Sequence, residues 1–206
     1  MIELAIYGGT FAPVHNGHLR AVDALLRELD PDKLLIIPTL IPPHKQIDWL
    51  DTPATRLKML HLAFETHPQY GKKLFISEYE LNSPPPSYTV NTLRHFTSPD
   101  THITFLCGTD MFLTLEKWRE PQEIFNLCTM AVMQRENGDV SALEKIKKQA
   151  EFLKNKFGAD IKIINAEPIE ISSSDIRKGD NALRKSYLPD AVYEFIKENS
   201  LYDGDK

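Results

Sequence analysis

Short apolar runs alternate along this chain with longer amphipathic ones. Ile2-Glu3-Leu4-Ala5-Ile6 opens the chain and reads as a buried strand over 2–7. Leu19, Val22, Leu25, Leu26 and Leu29 then recur at the spacing of one helical face, which predicts a helix over about 17–29. Asp30-Pro31-Asp32 makes a turn, and Lys33–Pro38 is a second buried strand stopped by proline. Residues 39–51 carry no period and read as a loop. Thr52-Pro53 starts the next helix, with threonine as cap, proline at the first position, and Leu57, Leu60, Leu62, Ala63 and Phe64 as its apolar face. Leu74–Ser77 is a third strand, and Ser87 is placed to cap a helix beginning Tyr88-Thr89-Val90. His102–Cys107 predicts a central fourth strand and Cys128–Met133 a fifth, ending near Arg135. An amphipathic helix over 140–157 and an edge-like strand at Asp160–Ile164 follow. A last helix runs to about 199, docked by Ala191, Val192, Phe195 and Ile196.

Strands alternating with helices at this spacing predict parallel βαβ units. The expected fold is α/β, a Rossmann-like doubly wound parallel sheet. No internal repeat and no linker divides the chain, so 1–206 is expected to be a single domain, with ligands across the carboxyl ends of the strands. Composition changes the picture little: 42% hydrophobic and 26% charged residues are ordinary globular values. The net charge of −5 argues against a nucleic-acid partner, although a small polyanion needs only a local basic cluster. Cys107 and Cys128 both lie in apolar runs, so buried free thiols are expected, with a disulfide as the alternative. No apolar run approaches ~18 residues and the start lacks a signal-peptide pattern, so no membrane is involved and a cytoplasmic location is expected.

The chemistry collects at strand-to-helix turns. In Ile6-Tyr7-Gly8-Gly9-Thr10-Phe11-Ala12-Pro13-Val14-His15-Asn16-Gly17-His18-Leu19, a glycine pair admits close backbone approach. The helix start behind it offers free N–H groups and a positive dipole end, a combination suited to phosphate. His15 and His18, three apart, share a face of the first turn. The loop Pro42-Pro43-His44-Lys45 carries Lys45, a candidate phosphate contact. The helix start at Ser87-Tyr88-Thr89 has a hydroxyl and N–H groups that suit a carboxylate. Gly108-Thr109-Asp110 ends the fourth strand, where Asp110 is placed to accept ribose hydroxyls. Ile171-Ser172-Ser173-Ser174-Asp175-Ile176-Arg177 gives hydroxyls, N–H groups and a cation, a second phosphate cradle. His61 and His67 read as structural. A metal shared by His15 and His18 would need a third ligand at matching spacing, and none is apparent. There is no Walker A sequence and no G-x-G-x-x-G.

These stretches resemble the nucleotidylyltransferase superfamily, whose H-x-G-H element stands here as His15-Asn16-Gly17-His18. The fuller G-G-T-F-x-P-x-H-x-G-H opening, together with Ser87-Tyr88-Thr89-Val90-Asn91-Thr92-Leu93 and the G-x-D…L-x-x-W pattern ending at Trp118, resembles the bacterial branch that adenylylates nicotinate mononucleotide. The resemblance implies that Gly8, Gly9, Thr10, Phe11, His15, His18, Gly108, Asp110, Ile171, Ser172, Ser174 and Arg177 bind ATP. It implies that Lys45, Tyr88, Thr89, Asp110, Trp118 and Arg135 meet the acceptor, with Trp118 stacked on its ring. His15, His18, Lys45 and Arg177 would be catalytic. The family's R-P-G is replaced here by Arg135-Glu136-Asn137-Gly138, which weakens the carry-over to Arg135.

The implied reaction is transfer of an adenylyl group from ATP, with Mg²⁺, to nicotinate mononucleotide. It needs no protein nucleophile, because the attacking phosphate is already ionised, and the protein's work is alignment and charge neutralisation. The rival readings are an adenylyltransferase for nicotinamide mononucleotide or phosphopantetheine, and a nucleotide-binding sensor without turnover. The chain is expected to act as a monomer or a homodimer.

Overall fold

In the computed structural model, residues 1–43, 52–135, 140–166, 169 and 171–203 are described. Six strands form one sheet: β1 (Ile2–Gly9), β2 (Lys33–Pro38), β3 (Leu74–Ile76), β4 (Thr101–Cys107), β5 (Thr129–Arg135) and β6 (Ile161–Ala166). All neighbours pair in parallel, in the order β3-β2-β1-β4-β5-β6. The expected doubly wound α/β architecture is present. β4 is central and β6 an edge, as expected, and β1 shares the centre with β4. β1 winds outward to β2 and β3 on one side, and β4 outward to β5 and β6 on the other. Such a reversal opens a crevice at the carboxyl ends of the two central strands.

The helices are α1 (Asn16–Leu29), α2 (Pro53–Phe64), α3 (Thr89–Phe96), α4 (Thr109–Phe112), α5 (Pro121–Leu127), α6 (Val140–Phe157), α7 (Ser173–Lys178), α8 (Asn181–Tyr187) and α9 (Asp190–Glu198). Two apolar cores result, one on each face of the sheet. Val22 and Leu25 of α1, Leu60 and Phe64 of α2 and Val192 and Ile196 of α9 fill one. Val90 and Leu93 of α3, Ile124 of α5 and Ile146 and Leu153 of α6 fill the other. Ala191, expected to dock the last helix, is exposed instead.

Several local expectations are met by their stated causes. The Thr52 hydroxyl accepts from the Thr55 N–H at 3.1 Å, so it caps α2. His61 meets the Tyr70 hydroxyl at 2.8 Å and His67 meets Asp23 at 3.0 Å, both structural contacts. Cys107 and Cys128 are free and buried, and burial pushes both thiols up. The expected cap of α3 fails. Ser87 does not cap α3; the residue before that helix is Tyr88, and the Ser87 hydroxyl accepts from the Leu40 N–H at 3.2 Å. Ser87 therefore ties two loops together instead of closing a helix.

Candidate functional site

At the carboxyl ends of β1 and β4 lies a cavity of about 160 Å³. Gly8, Gly9 and Thr10 form one wall, and Cys107 and Gly108 another. Tyr88 and Thr89 close it from the start of α3, and Trp118, Arg119, Pro42 and Pro43 from flanking loops. The glycine pair serves this site by subtraction. A Cβ on Gly8 would lie 3.1 Å from Cζ of Phe105, and one on Gly9 only 2.8 Å from Cζ of Phe11. Neither glycine has a left-handed φ; that conformation falls on Phe11, at φ +51°. A non-glycine residue there costs about 1–2 kcal/mol, offset by the burial of its ring against Tyr7 and His18, 5.4 and 5.0 Å away. Gly9→Ala is therefore expected to displace Phe11, lowering stability by about 1–3 kcal/mol and activity with it. Urea unfolding and an initial-rate assay check this; unchanged stability and turnover would mean that the ring moves freely.

The two histidines sit where β1 hands over to α1. His15 has extended backbone, and its carbonyl accepts from the His18 N–H at 2.8 Å. In return, Nδ1 of His18 accepts from the His15 N–H at 3.1 Å. That bond requires Nδ1 to be unprotonated, so a neutral His18 carries its proton on Nε2 and presents a donor there. The two rings lie 3.7 Å apart, tilted by 37°. His15 is buried, and burial pushes its imidazole down to about 4, against an upward pull from Asp175. It is neutral at pH 7.

This has a measurable consequence for stability. Between the ordinary value of 6.5 and about 4, the unfolded chain binds a proton at His15 that the folded chain refuses. The contribution is whole above pH 6.5 and is lost as pH falls toward 4, by up to about 3 kcal/mol. In urea unfolding at pH 7 and pH 4.5, His15→Asn should lose less stability on acidification than the wild type. Equal losses would show that His15 accepts a proton in the folded state.

Among the described residues, Nδ1 of His15 and Nε1 of Trp118 are buried side-chain nitrogens without a hydrogen-bond partner. Buried polar atoms are seldom left unpaired. One lies at the histidine pair and the other at the cavity wall, so each is placed to meet a partner that the described residues do not supply. A Cβ at Gly17 would stand 3.0 Å from Nδ1 of His15, so glycine there keeps that edge approachable.

The serine run behaves differently from its expectation. Ser172 caps α7, but in a closed box with Asp175. Its hydroxyl accepts from the Asp175 N–H at 3.1 Å and donates to the Asp175 carboxylate at 2.6 Å, which also accepts from the Ser172 N–H at 3.0 Å. Ser173 donates to the Pro13 carbonyl at 2.9 Å, and Arg177 donates to the Ala12 carbonyl. The segment is thus fastened to the loop that carries His15. Ser174 lies in the first turn of α7, half-buried. Ile171 is half-buried beside it.

The other expected site residues divide. Gly108 lines the cavity, whereas Asp110, in the first turn of α4, is exposed and does not. Neither histidine lines the cavity. The backbone of Arg135 closes β5; its side chain and the whole of Lys45 lie outside the described residues.

A profile of the cytidylyltransferase-like family matches residues 6–179. The chain belongs to that family. A probable nicotinate-nucleotide adenylyltransferase of Clostridium botulinum (strain Loch Maree / Type A3) is 37% identical over 210 residues, spanning 98% of this chain and 100% of that protein. The corresponding protein of C. botulinum strain Eklund 17B / Type B is 34% identical, spanning 98% of each. In fold, the chain is similar to the Plasmodium falciparum nicotinic acid mononucleotide adenylyltransferase solved with NaAD, with a TM-score of 0.74 over 98% of each chain at 19% identity.

Three family-site neighbours escape a reading of the sequence. Arg56 is fully buried and donates to the carbonyls of Thr10 at 2.9 Å and Leu40 at 3.2 Å, bracing the ends of the β1 and β2 loops. Its signal was present: it heads the buried stripe Arg56, Met59, Leu60, Ala63, an arginine where an apolar residue belongs. Arg119 lies 4.7 Å over the Tyr88 ring and lines the cavity, a cation beside the indole. Glu80 is buried in the cavity wall, and no spacing announces it.

Proposed function

We infer that the chain transfers the adenylyl group of ATP to the phosphate of nicotinate mononucleotide, giving nicotinate adenine dinucleotide and pyrophosphate, a step of NAD biosynthesis. The observation that carries this reading is the pairing of two unlike sites at the carboxyl end of β1. A histidine pair, with His15 neutral, stands at the start of α1, and a largely apolar cavity at the carboxyl ends of β1 and β4 holds an indole, a helix start and a cation. The first suits triphosphate; the second suits a flat ring bearing a carboxylate. Curated relatives at 37% and 34% identity are named for this activity, and the chain spans them almost entirely.

An oxygen of the acceptor phosphate attacks the α-phosphorus of ATP in line. The bond from that phosphorus to the bridging oxygen breaks, and pyrophosphate leaves with the electron pair. Both partners are anions, so the chain's task is to hold them together and stabilise charge on the leaving side. The Nε2–H of His18 donates to the reacting phosphate. His15 supports it as a neutral neighbour, so two imidazolium rings never face each other at 3.7 Å. Gly8, Gly9, Thr10 and Phe11 bring the backbone close. Arg177 and Ser174 reach the β and γ phosphates, with Ser172 holding α7 in place through Asp175. Lys45 covers them from its loop, and Gly108, Asp110 and Ile171 complete the nucleoside contacts.

On the acceptor side, the ring stacks on Trp118, and the start of α3 at Tyr88 and Thr89 receives its carboxylate. Arg119 adds a positive charge there, and Arg135 stands at the end of β5. Among the described residues no group of three His, Cys, Asp or Glu could hold a metal. Mg²⁺, entering with ATP, would supply neutralisation of the charge that develops on the leaving pyrophosphate, beside Arg177 and Lys45. Residues 1–206 act as one domain, and the reaction runs in the cytoplasm. Among the described residues, no helix is long and apolar enough to cross a membrane.

The test is pyrophosphate release from Mg-ATP with nicotinate mononucleotide, nicotinamide mononucleotide and phosphopantetheine offered in parallel. Release with the nicotinate compound alone is expected. Release with another acceptor would overturn the use of Thr89 and Trp118. ATP binding without release would favour a sensor.

A further inference from the structure

Glu80 is 6% exposed, lines the cavity, and takes no part in the chemistry described so far. A carboxyl is costly to bury unless hydrogen bonds hold it. Here three hydroxyls from three separate segments converge on it. The Thr92 hydroxyl, on the inner face of α3, donates to Oε1 at 2.6 Å. The hydroxyls of Thr39, just after β2, and Ser87, just before α3, face the same carboxyl. Burial pushes that carboxyl up, and the three hydroxyls pull it back down.

The partners are themselves anchored in the walls of the site. The Thr39 N–H donates to the Gly9 carbonyl at 2.9 Å. Ser87 accepts from the Leu40 N–H at 3.2 Å, and its own N–H donates to the Ile41 carbonyl at 2.9 Å. Glu80 therefore stands where the loop after β2, the proline-rich loop before α3, and α3 itself meet. Ser87 is two residues before Thr89 and Thr92 three residues after it, so the hydroxyls that face Glu80 flank the helix start that faces the cavity.

We propose that Glu80 is a positioning residue for the acceptor: through Ser87 and Thr92 it fixes the start of α3, and through Thr39 it fixes that start relative to Gly9. The proposal rests on the reading of this cavity as the nicotinate mononucleotide site. No proton transfer is assigned to Glu80, since the attacking phosphate needs no base. A position error of about an ångström in such a site costs on the order of 10²-fold.

The experiment uses the full chain and two readouts. Calorimetry measures binding of nicotinate mononucleotide and, separately, of Mg-ATP; initial rates give KM for each substrate and kcat. Glu80→Ala should weaken acceptor binding and raise the acceptor KM at least ~10-fold, on the low side of that penalty, with Mg-ATP affinity within about twofold. Glu80→Gln, which can still pair with hydroxyls, should recover most of the loss. Thr92→Val should show a smaller, acceptor-only effect, and it keeps the test open should Glu80→Ala fail to fold. If Glu80→Ala or Thr92→Val leaves acceptor binding unchanged, or weakens both substrates alike, Glu80 is structural and the proposal is overturned. A wild type that does not bind nicotinate mononucleotide would instead remove the reading of the cavity, and the proposal with it.

Discussion

Replacing His18 with alanine lowers kcat by at least ~10²-fold, the usual cost of removing one oriented transition-state donor. The fold survives, because His18 is half-buried at a helix start and not part of either core. The local argument is specific. Its Nδ1 accepts from the His15 N–H at 3.1 Å, which fixes the ring and leaves the proton on Nε2. A ring held in this way needs no reorganisation when charge develops on the phosphate. Removing it also leaves that N–H without its acceptor, worth about 1 kcal/mol of stability. Steady-state kinetics with thermal unfolding on the same sample checks both halves. Loss of kcat with a small shift in Tm supports the role. Near-normal turnover would remove His18 from the chemistry.

Trp118→Ala raises the KM for nicotinate mononucleotide by roughly 5- to 150-fold, because stacking on an aromatic side chain is worth about 1–3 kcal/mol per base. Mg-ATP binding stays unchanged. The indole lines the cavity, and its Nε1 is buried without a partner among the described residues. A tryptophan that served packing alone would have its N–H satisfied by the protein. Competition kinetics with each substrate in turn separates the two effects. Equal weakening of both would show that Trp118 supports the fold of the whole crevice.

The two variants divide the site along its seam. His18 belongs to the turn between β1 and α1, and Trp118 follows the turn at Leu115–Lys117. Between them lie Gly8 and Gly9, which line the cavity with Trp118 and where side-chain bulk is excluded by Phe105 and Phe11. That shared backbone explains why a substitution at Gly9 is expected to harm both halves, while His18 and Trp118 each harm one.

What the sequence by itself determined was the periodic part of the molecule and the local turns. Apolar runs of strand length and stripes of helical spacing depend on nearest neighbours along the chain. They located all six strands and the long helices to within a few residues. The turn into α1 at His15–His18 and the short helix after Ser172 were legible for the same reason, since each is one short segment with its own hydrogen-bonding logic.

Tertiary structure alone decided what joins segments far apart. Ser87 looked like a cap but ties its loop to Leu40, 47 residues away. Ser172 turns its hydroxyl on Asp175, and Ser173 and Arg177 reach back about 160 residues to the loop before His15. Arg56 broke its apolar stripe visibly, yet only the fold shows the carbonyls of Thr10 and Leu40 waiting for it. Glu80 gave no sign at all, because a buried carboxyl is made tolerable by hydroxyls from elsewhere in the chain. The glycine pair reads in the sequence as a place of close approach, but the Phe11 and Phe105 rings that forbid a Cβ there come from packing. Periodicity records which face is buried; it does not record what that face meets.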